Sequence, residues 1–250
     1  MAFKDYFSSQ SGDYARFRPT YPEALFDFVA GQSPARGAVW DCGTGNGQAA
    51  LALASRFDRV LATDPSSLQI QAATPHAKVA YSVAPAEASG LPDGAVDCVT
   101  VAQALHWFDF DAFYAECRRV AQAGAPLVAW SYAKNTVAPA VDEVYEHFYT
   151  SIIGQYWPPE REHAETNYTQ IPFPFERIAT PTLALEQEWN LYEFAGYLST
   201  WSAVSRYRQE QGADPLELIE SDLTAAWGDP ETRRTVSWPL AILAGRIEAS

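Results

Sequence analysis

The hydrophobic positions in the first half of the chain follow two alternating patterns. Short apolar runs typical of buried strands occur at 38–41, 59–63, 78–82, 96–102 and 127–132. Between them lie segments whose apolar residues recur at helical spacing, most clearly at 109–121. Strands that alternate with helices predict an α/β fold with a mainly parallel, doubly wound sheet.

The pattern changes after the last of these strands. Residues 135–178 predict helix and loop, and further helices are predicted at 192–201 and 215–227. Segment 233–243 predicts one final strand, in which Pro239 indicates an edge position or a bulge. The second half is also rich in large aromatic residues, which suit either a core or an apolar substrate pocket.

A glycine-rich turn with the sequence D-C-G-T-G-N-G at 41–47 follows the first strand and precedes a helix. Glycines in such a turn let the backbone approach a nucleotide-like ligand closely. The dinucleotide fingerprint needs a glycine at position 48, where this chain has Gln48, and no phosphate-loop lysine is present. Asp41 is a poor neighbour for a diphosphate, but it can accept hydrogen bonds from the turn or from a cationic ligand group.

A second acid, Asp64, ends the second predicted strand, about 20 residues after Gly43. A carboxylate at this position in open α/β sheets accepts hydrogen bonds from ribose hydroxyls. The alternative is that Asp64 only caps the helix that begins near Ser66. A ribose site without a pyrophosphate site predicts a ligand in which adenosine is attached to something other than phosphate.

These residues resemble the first two motifs of the class I S-adenosylmethionine-dependent methyltransferases. Segment 84–92 resembles the loop that meets the adenine in that family, and 96–109 resembles the fourth strand with its following loop. The sequence Q-A-L-H-W-F-D at 103–109 and the opening segment 14–22 are similar to the corresponding segments of a small-molecule subgroup that includes trans-aconitate methyltransferase-like proteins. The resemblance covers about residues 3–135.

The resemblance implies a Rossmann-like, seven-stranded sheet, mostly parallel with an antiparallel last strand, together with a helical and aromatic cap. It implies S-adenosylmethionine as the cofactor, S-adenosylhomocysteine as the product and no metal. The cofactor contacts that it implies are Tyr14, Arg18, Asp41, Gly43, Thr44, Gly45, Asp64, Pro65, Ser66, Ala86, Glu87, Gln103 and Ala104.

Several of these contacts have specific expected roles. In the subgroup the N-terminal segment folds over the cofactor, so Arg18 can pair with the cofactor carboxylate; the alternative is a surface arginine. Glu87 can accept from the exocyclic amine of adenine, or it can be a solvated loop carboxylate. The backbone at Gln103 and Ala104 is expected to face the methionine part, because ligands meet open α/β sheets at the carboxyl ends of strands.

His106 is the catalytic candidate, either as a general base or as a group that orients an acceptor oxygen. The alternative is a structural histidine beside Trp107 that holds the loop. A carboxylate acceptor would need no base, because it is already deprotonated at neutral pH.

Length and composition agree with one domain over 1–250, since the chain has 250 residues and is 48% hydrophobic. Within it we expect a helical lead-in at 1–35, a cofactor-binding core at 36–132, and cap insertions at 133–178 and 190–232. No uninterrupted run of 18 apolar residues and no signal-peptide pattern are present, which predicts a cytoplasmic protein without membrane contact. The three cysteines lack metal or redox spacing, which favours free thiols.

The formal net charge of −14 disfavours a nucleic-acid partner and leaves a small molecule as the expected substrate. The subgroup resemblance favours a carboxyl or hydroxyl oxygen as the methyl acceptor, and Arg161, Arg206 and Arg208 are candidates for binding an anionic substrate. Two alternatives stay open: a non-catalytic protein that binds S-adenosylmethionine, and a nicotinamide-dependent oxidoreductase, against which Gln48 counts. The sequence does not indicate an oligomeric state.

Overall fold

A computed structural model describes residues 19–132 and 134–248 of the chain. Its main sheet has seven strands, which are β1 (Ala38–Cys42), β2 (Arg59–Asp64), β3 (Val79–Val83), β4 (Cys98–Ala102), β5 (Pro126–Ser131), β6 (Glu176–Arg177) and β9 (Ala241–Arg246). Their order across the sheet is β3-β2-β1-β4-β5-β9-β6. Strands β1 to β5 pair in parallel, and β9 lies antiparallel between β5 and β6. The predicted seven-stranded sheet with an antiparallel last strand is confirmed.

The α-helices of the described residues are α1 (Glu23–Gln32), α2 (Gln48–Leu53), α3 (Ser67–Ala72), α4 (Phe110–Val120), α5 (Pro139–His147), α6 (Arg161–Glu165), α7 (Leu191–Ser199), α8 (Ser202–Gln211) and α9 (Glu220–Trp227). Helix α4 matches the prediction for 109–121 because local signals determine it. The Asp109 side chain accepts a bond from Ala112 N at 3.2 Å and caps its first turn.

Segment 233–243 is extended as predicted, but the prediction of a single strand is wrong, because this segment contributes to two strands in different sheets. Strand β8 (Arg234–Pro239) pairs antiparallel with β7 (Ala184–Trp189), and β9 begins two residues later in the main sheet. Pro239 ends β8, and Leu240 N donates instead to Leu183 O at 2.9 Å. The apolar pattern runs through this junction, so periodicity alone does not show the change of partner.

Three apolar clusters form the core. Neighbouring residues of β1 lie in two of them, with Trp40 in one and Val39 in the other, because successive side chains of a strand point to opposite faces of the sheet. The third cluster is built from the chain between Tyr132 and Trp238 and is dominated by aromatic rings. We call this third cluster, with the helices that carry it, the aromatic cap.

Candidate active site

The glycine turn lies where β1 and β4 are neighbours. Successive strands extend the sheet in one direction from β1 to β3 and in the other from β4 to β5, so this is the switch point at which open α/β sheets bind ligands. Gly43 N and Thr44 N donate to Thr63 O at 2.9 and 3.0 Å, which ties the turn to β2. Gly43 has φ of 69°, and a Cβ atom there would lie 2.6 Å from Cβ of Ala104. Glycine is therefore required where the turn contacts the loop after β4.

The Asp64 carboxylate links this turn to the start of α3. Its Oδ2 accepts from Gly45 N at 2.9 Å, and its Oδ1 accepts from Ser66 N at 2.9 Å. Ser66, which follows Pro65, caps α3 by accepting from Gln69 N at 3.3 Å. The structure therefore brings four of the predicted contacts, at positions 45, 64, 65 and 66, to one edge of the sheet. A carboxylate has about four lone-pair positions, so these two bonds are compatible with further acceptance from a ribose.

Asp41 is fully buried beneath the turn. Its carboxylate accepts from the Thr44 hydroxyl at 2.6 Å and from the Thr100 hydroxyl at 3.0 Å. Burial raises the pKa of Asp41 to about 6, although the two hydrogen bonds partly oppose this effect. Because Thr100 lies in β4, Asp41 holds β1, the turn and β4 together. Of the two roles expected for Asp41, the structure shows the one in which it accepts from the turn.

The loop between β3 and β4 reaches the same region. Ala86 is buried, and Glu87 Oε1 accepts from Asp109 N at 3.0 Å. This bond joins the loop to the backbone that begins α4, a role that neither expectation for Glu87 had included. It brings segment 84–92 against the loop that carries His106.

The backbone at Gln103 has φ of 57°, which is unusual for a residue other than glycine. Gln103 N donates to Trp130 O at 2.9 Å, and its side-chain amide donates to Tyr132 O at 3.3 Å. These bonds hold a strained conformation where the chain leaves β4, and such strain is concentrated at functional sites.

His106 lies in a short 3-10 turn, Leu105–Trp107, and its Nδ1 is 3.1 Å from the hydroxyl of Tyr168. Burial raises the pKa of Tyr168, so the phenol keeps its proton, and it either donates to Nδ1 or accepts from it according to the tautomer of the ring. Burial, together with the smaller effects of nearby Arg161 and His163, lowers the pKa of His106 to about 3. A histidine with so low a pKa is a weak base at neutral pH, which favours the orienting role over that of a base.

The sequence alone did not indicate Tyr168 as a residue of the site. It is 62 residues from His106 in the chain, and both Asn167 and Tyr168 have positive φ, at 53° and 59°. No periodicity or motif marks an irregular segment of this kind.

A cleft that is partly open to solvent separates the loop after β4 from the aromatic cap. Gln103, His106 and Trp107 line one part of it, and cap residues that include Trp157 and Arg161 line the rest. Of the predicted cofactor contacts, Gln103 lines this cleft, whereas the glycine turn and Asp64 do not.

The three candidate arginines do not converge. Arg161 lines the cleft, whereas Arg208 forms an ion pair with Asp214 at 2.6 Å and Arg206 donates to Tyr156 O at 3.1 Å.

Two of the predicted contacts, Tyr14 and Arg18, lie outside the described residues. Within 19–132 and 134–248, no group of three or more His, Cys, Asp or Glu side chains is placed to hold a metal ion. In the same part of the chain, no helix has the length and apolarity needed to cross a membrane.

Several known proteins are similar to this chain in sequence or in fold. Residues 40–129 match the profile of a family described as "Methyltransferase domain". A Dictyostelium discoideum protein, provisionally named a methyltransferase, is 36% identical over 231 residues, which are 90% of this chain and 87% of that protein. A structure from Anaeromyxobacter dehalogenans, provisionally assigned as a type II methyltransferase, is 50% identical with a TM-score of 0.88 and covers 94% of this chain and 100% of its own. A Saccharomyces cerevisiae protein, provisionally named an S-adenosylmethionine-dependent methyltransferase, is 26% identical over 132 residues, which are 49% of this chain and 45% of that protein.

Proposed function

Because this chain belongs to the methyltransferase family, we propose that it transfers the methyl group of S-adenosylmethionine to a small organic molecule. The acceptor atom that we propose is an oxygen, and the subgroup is the one that includes trans-aconitate methyltransferase-like proteins. The amino-acid sequence of segment 103–109 supports assignment to this subgroup, and the cleft beside it supports a small-molecule acceptor.

The observation that carries the cofactor proposal is the bond from Gly45 N to the Asp64 carboxylate. It places an acidic side chain beside a close-approach turn at the switch point of the sheet, which is where an adenosine ribose is held in such folds. Asp64, Pro65 and Ser66 would contact the adenosine, and Gly43, Thr44 and Gly45 would contact the cofactor through backbone atoms. The cofactor supplies an electrophilic methyl group on a positively charged sulfur.

The state of His106 supports a carboxylate oxygen over a hydroxyl oxygen as the acceptor. A histidine whose pKa burial lowers to about 3 is a weak base for a hydroxyl proton. A carboxylate arrives without a proton, so the residues of the loop only need to orient it and exclude water.

Binding of S-adenosylhomocysteine by isothermal titration tests the cofactor site. An Asp64→Asn variant is expected to bind it 10- to 100-fold more weakly, since hydrogen bonds to charged groups contribute about 1.5–3 kcal/mol. Asp58→Asn is the matched control, because Asp58 is an exposed acid at the entrance to β2. Equal affinity in wild type and Asp64→Asn would contradict the proposed ribose contact, and binding of NADH in place of the nucleoside would favour an oxidoreductase.

Turnover distinguishes an enzyme from a binding protein. Wild type is incubated with S-adenosylmethionine and a panel of organic acids and phenols, and methylated products are identified by mass spectrometry. Methyl esters are expected, and products from the phenols alone would overturn the preference for carboxylates.

A further inference from the structure

We propose that Arg161 is the specificity-determining residue of the cleft, where it binds the carboxylate of an organic acid whose planar or apolar body lies among aromatic rings. This inference rests on the proposed function, since the cleft is where a methyl acceptor would lie beside Gln103 and His106.

Aromatic neighbours hold the Arg161 guanidinium in place. It lies over the Trp157 ring at 4.1 Å and over the Tyr149 ring at 5.6 Å, and its Nε donates to the Tyr149 hydroxyl at 2.7 Å. Among the described residues, none accepts a hydrogen bond from either terminal nitrogen, Nη1 or Nη2. A stacked guanidinium whose two terminal NH2 groups bond no described residue is a preorganised fork that matches a carboxylate.

The charge around Arg161 favours recognition at short range. Glu165 Oε1 lies 3.7 Å from Arg161 Nε and also accepts from the Tyr149 hydroxyl. Glu165 therefore compensates part of the positive charge, and a chain with net charge −14 provides no long-range attraction for anions. Selection of a carboxylate then depends on directed hydrogen bonds from the terminal nitrogens.

Two further features of the cleft suit an anion. His106 lines it as a neutral imidazole, which carries one N–H group and no negative charge that would repel an anion. Ser202 also lines it and begins α8, a ten-residue helix whose N-terminus lacks a side-chain cap and therefore keeps its partial positive charge.

The body of the acid is expected to be flat or apolar. Trp107, Trp157 and Trp201 all line the cleft, and the Trp157 and Trp201 rings lie 5.4 Å apart. Indole rings provide apolar contact area at a low cost in conformational entropy, so they favour a rigid ring over a flexible polar chain.

Calorimetry with matched pairs of ligands tests the proposal. Benzoate, trans-cinnamate, indole-3-acetate and 2-naphthoate are titrated into protein saturated with S-adenosylhomocysteine, and each is compared with its primary amide. In wild type at least one carboxylate is expected to bind ten times more tightly than its amide. Arg161→Gln is expected to lose at least tenfold in affinity for that carboxylate while binding the amide within about threefold of wild type.

Two variants serve as controls. Arg161→Lys keeps the charge and is expected to retain part of the preference, whereas Arg208→Gln removes an arginine that is already paired with Asp214 and is expected to behave as wild type. Thermal unfolding of each variant shows whether the fold is intact. If Arg161→Gln does not fold, the preference of wild type and its partial retention in Arg161→Lys decide the question.

The outcomes separate this inference from the function on which it rests. Failure of wild type to bind S-adenosylhomocysteine in the first titration would overturn the proposed function. If that ligand binds, then equal affinity for carboxylates and amides, no binding of any carboxylate, or an unchanged preference in Arg161→Gln would overturn the role of Arg161 alone.

Discussion

Replacing Asp41 with asparagine is expected to stabilise this protein in a way that depends on pH. Burial raises the pKa of Asp41 from its ordinary value of 3.8 to about 6 in the folded state. Between these values the folded chain binds a proton that the unfolded chain has lost. The contribution of this group to stability therefore falls as pH rises from about 4 to about 6, and it stays low at higher pH.

The size of the effect follows from the two pKa values. At 1.36 kcal/mol per pH unit, ionised Asp41 costs about 3 kcal/mol of folding free energy above pH 7. Asparagine removes this cost and can keep both hydrogen bonds, because hydroxyl groups donate and accept. The Thr100 hydroxyl already lies 3.3 Å from Trp40 O, so it can donate there and accept from the new amide. The stability difference between variant and wild type is expected to grow by about 1.4 kcal/mol from pH 5 to pH 8.

Urea unfolding followed by tryptophan fluorescence measures this difference at several pH values. The slope with pH is the informative quantity, since any packing change that asparagine causes is the same at every pH. Glu143→Gln removes an exposed carboxylate from α5 and is the control, for which the stability difference should stay nearly constant. A constant difference between Asp41→Asn and wild type from pH 5 to pH 8 would refute the reasoning.

Two further substitutions test individual contacts. Gly47→Ala is expected to lower the free energy of unfolding by about 1–3 kcal/mol more than Gly212→Ala, measured by urea unfolding. Both glycines have positive φ, 88° and 67°, but of the two only Gly47 has a neighbour, the Tyr81 hydroxyl, in the place that a Cβ atom would occupy. Equal losses of unfolding free energy in the two variants would contradict this clash. Tyr168→Phe is expected to cost about 1 kcal/mol of stability and to change the ¹⁵N shifts of the His106 ring, because the hydrogen-bond partner of Nδ1 is lost. The exposed His147 provides an unaffected reference signal, and unchanged His106 shifts would show that Tyr168 does not set the tautomer.

The elements that were predicted well are those specified by neighbouring residues. Helix α4 begins at its Asp109 cap and follows a strong apolar stripe, so both its ends lie within a residue of the prediction. Helix α8 was not predicted, because most of its residues are polar and only Ala203 and Val204 are buried. Its helical state depends on packing against the rest of the cap, and the local sequence pattern does not predict such packing.

The residues of the candidate site likewise include some that local sequence predicts and others that depend on distant contacts. Asp41, the glycine turn and Asp64 lie within 24 consecutive residues that form one strand–turn–helix–strand unit, so their order along the chain already indicated a close-approach turn and an acid at a strand end. Glu87 shows the limit of this reasoning. It was recognised as a candidate contact, but its bond to Asp109 N depends on two loops that approach each other only in the folded sheet.

The sequence by itself determined the α/β class, the glycine turn and the acids beside it, because strand periodicity and turn chemistry act between residues that are close in the chain. Only the tertiary structure decided that Tyr168 contacts His106, that Arg161 lines the cleft beside Gln103, and that residues 233–243 contribute to two sheets. These relations join segments separated by tens of residues through packing of the aromatic cap on the sheet. Such packing depends on the shapes of many side chains together, and no local pattern encodes it.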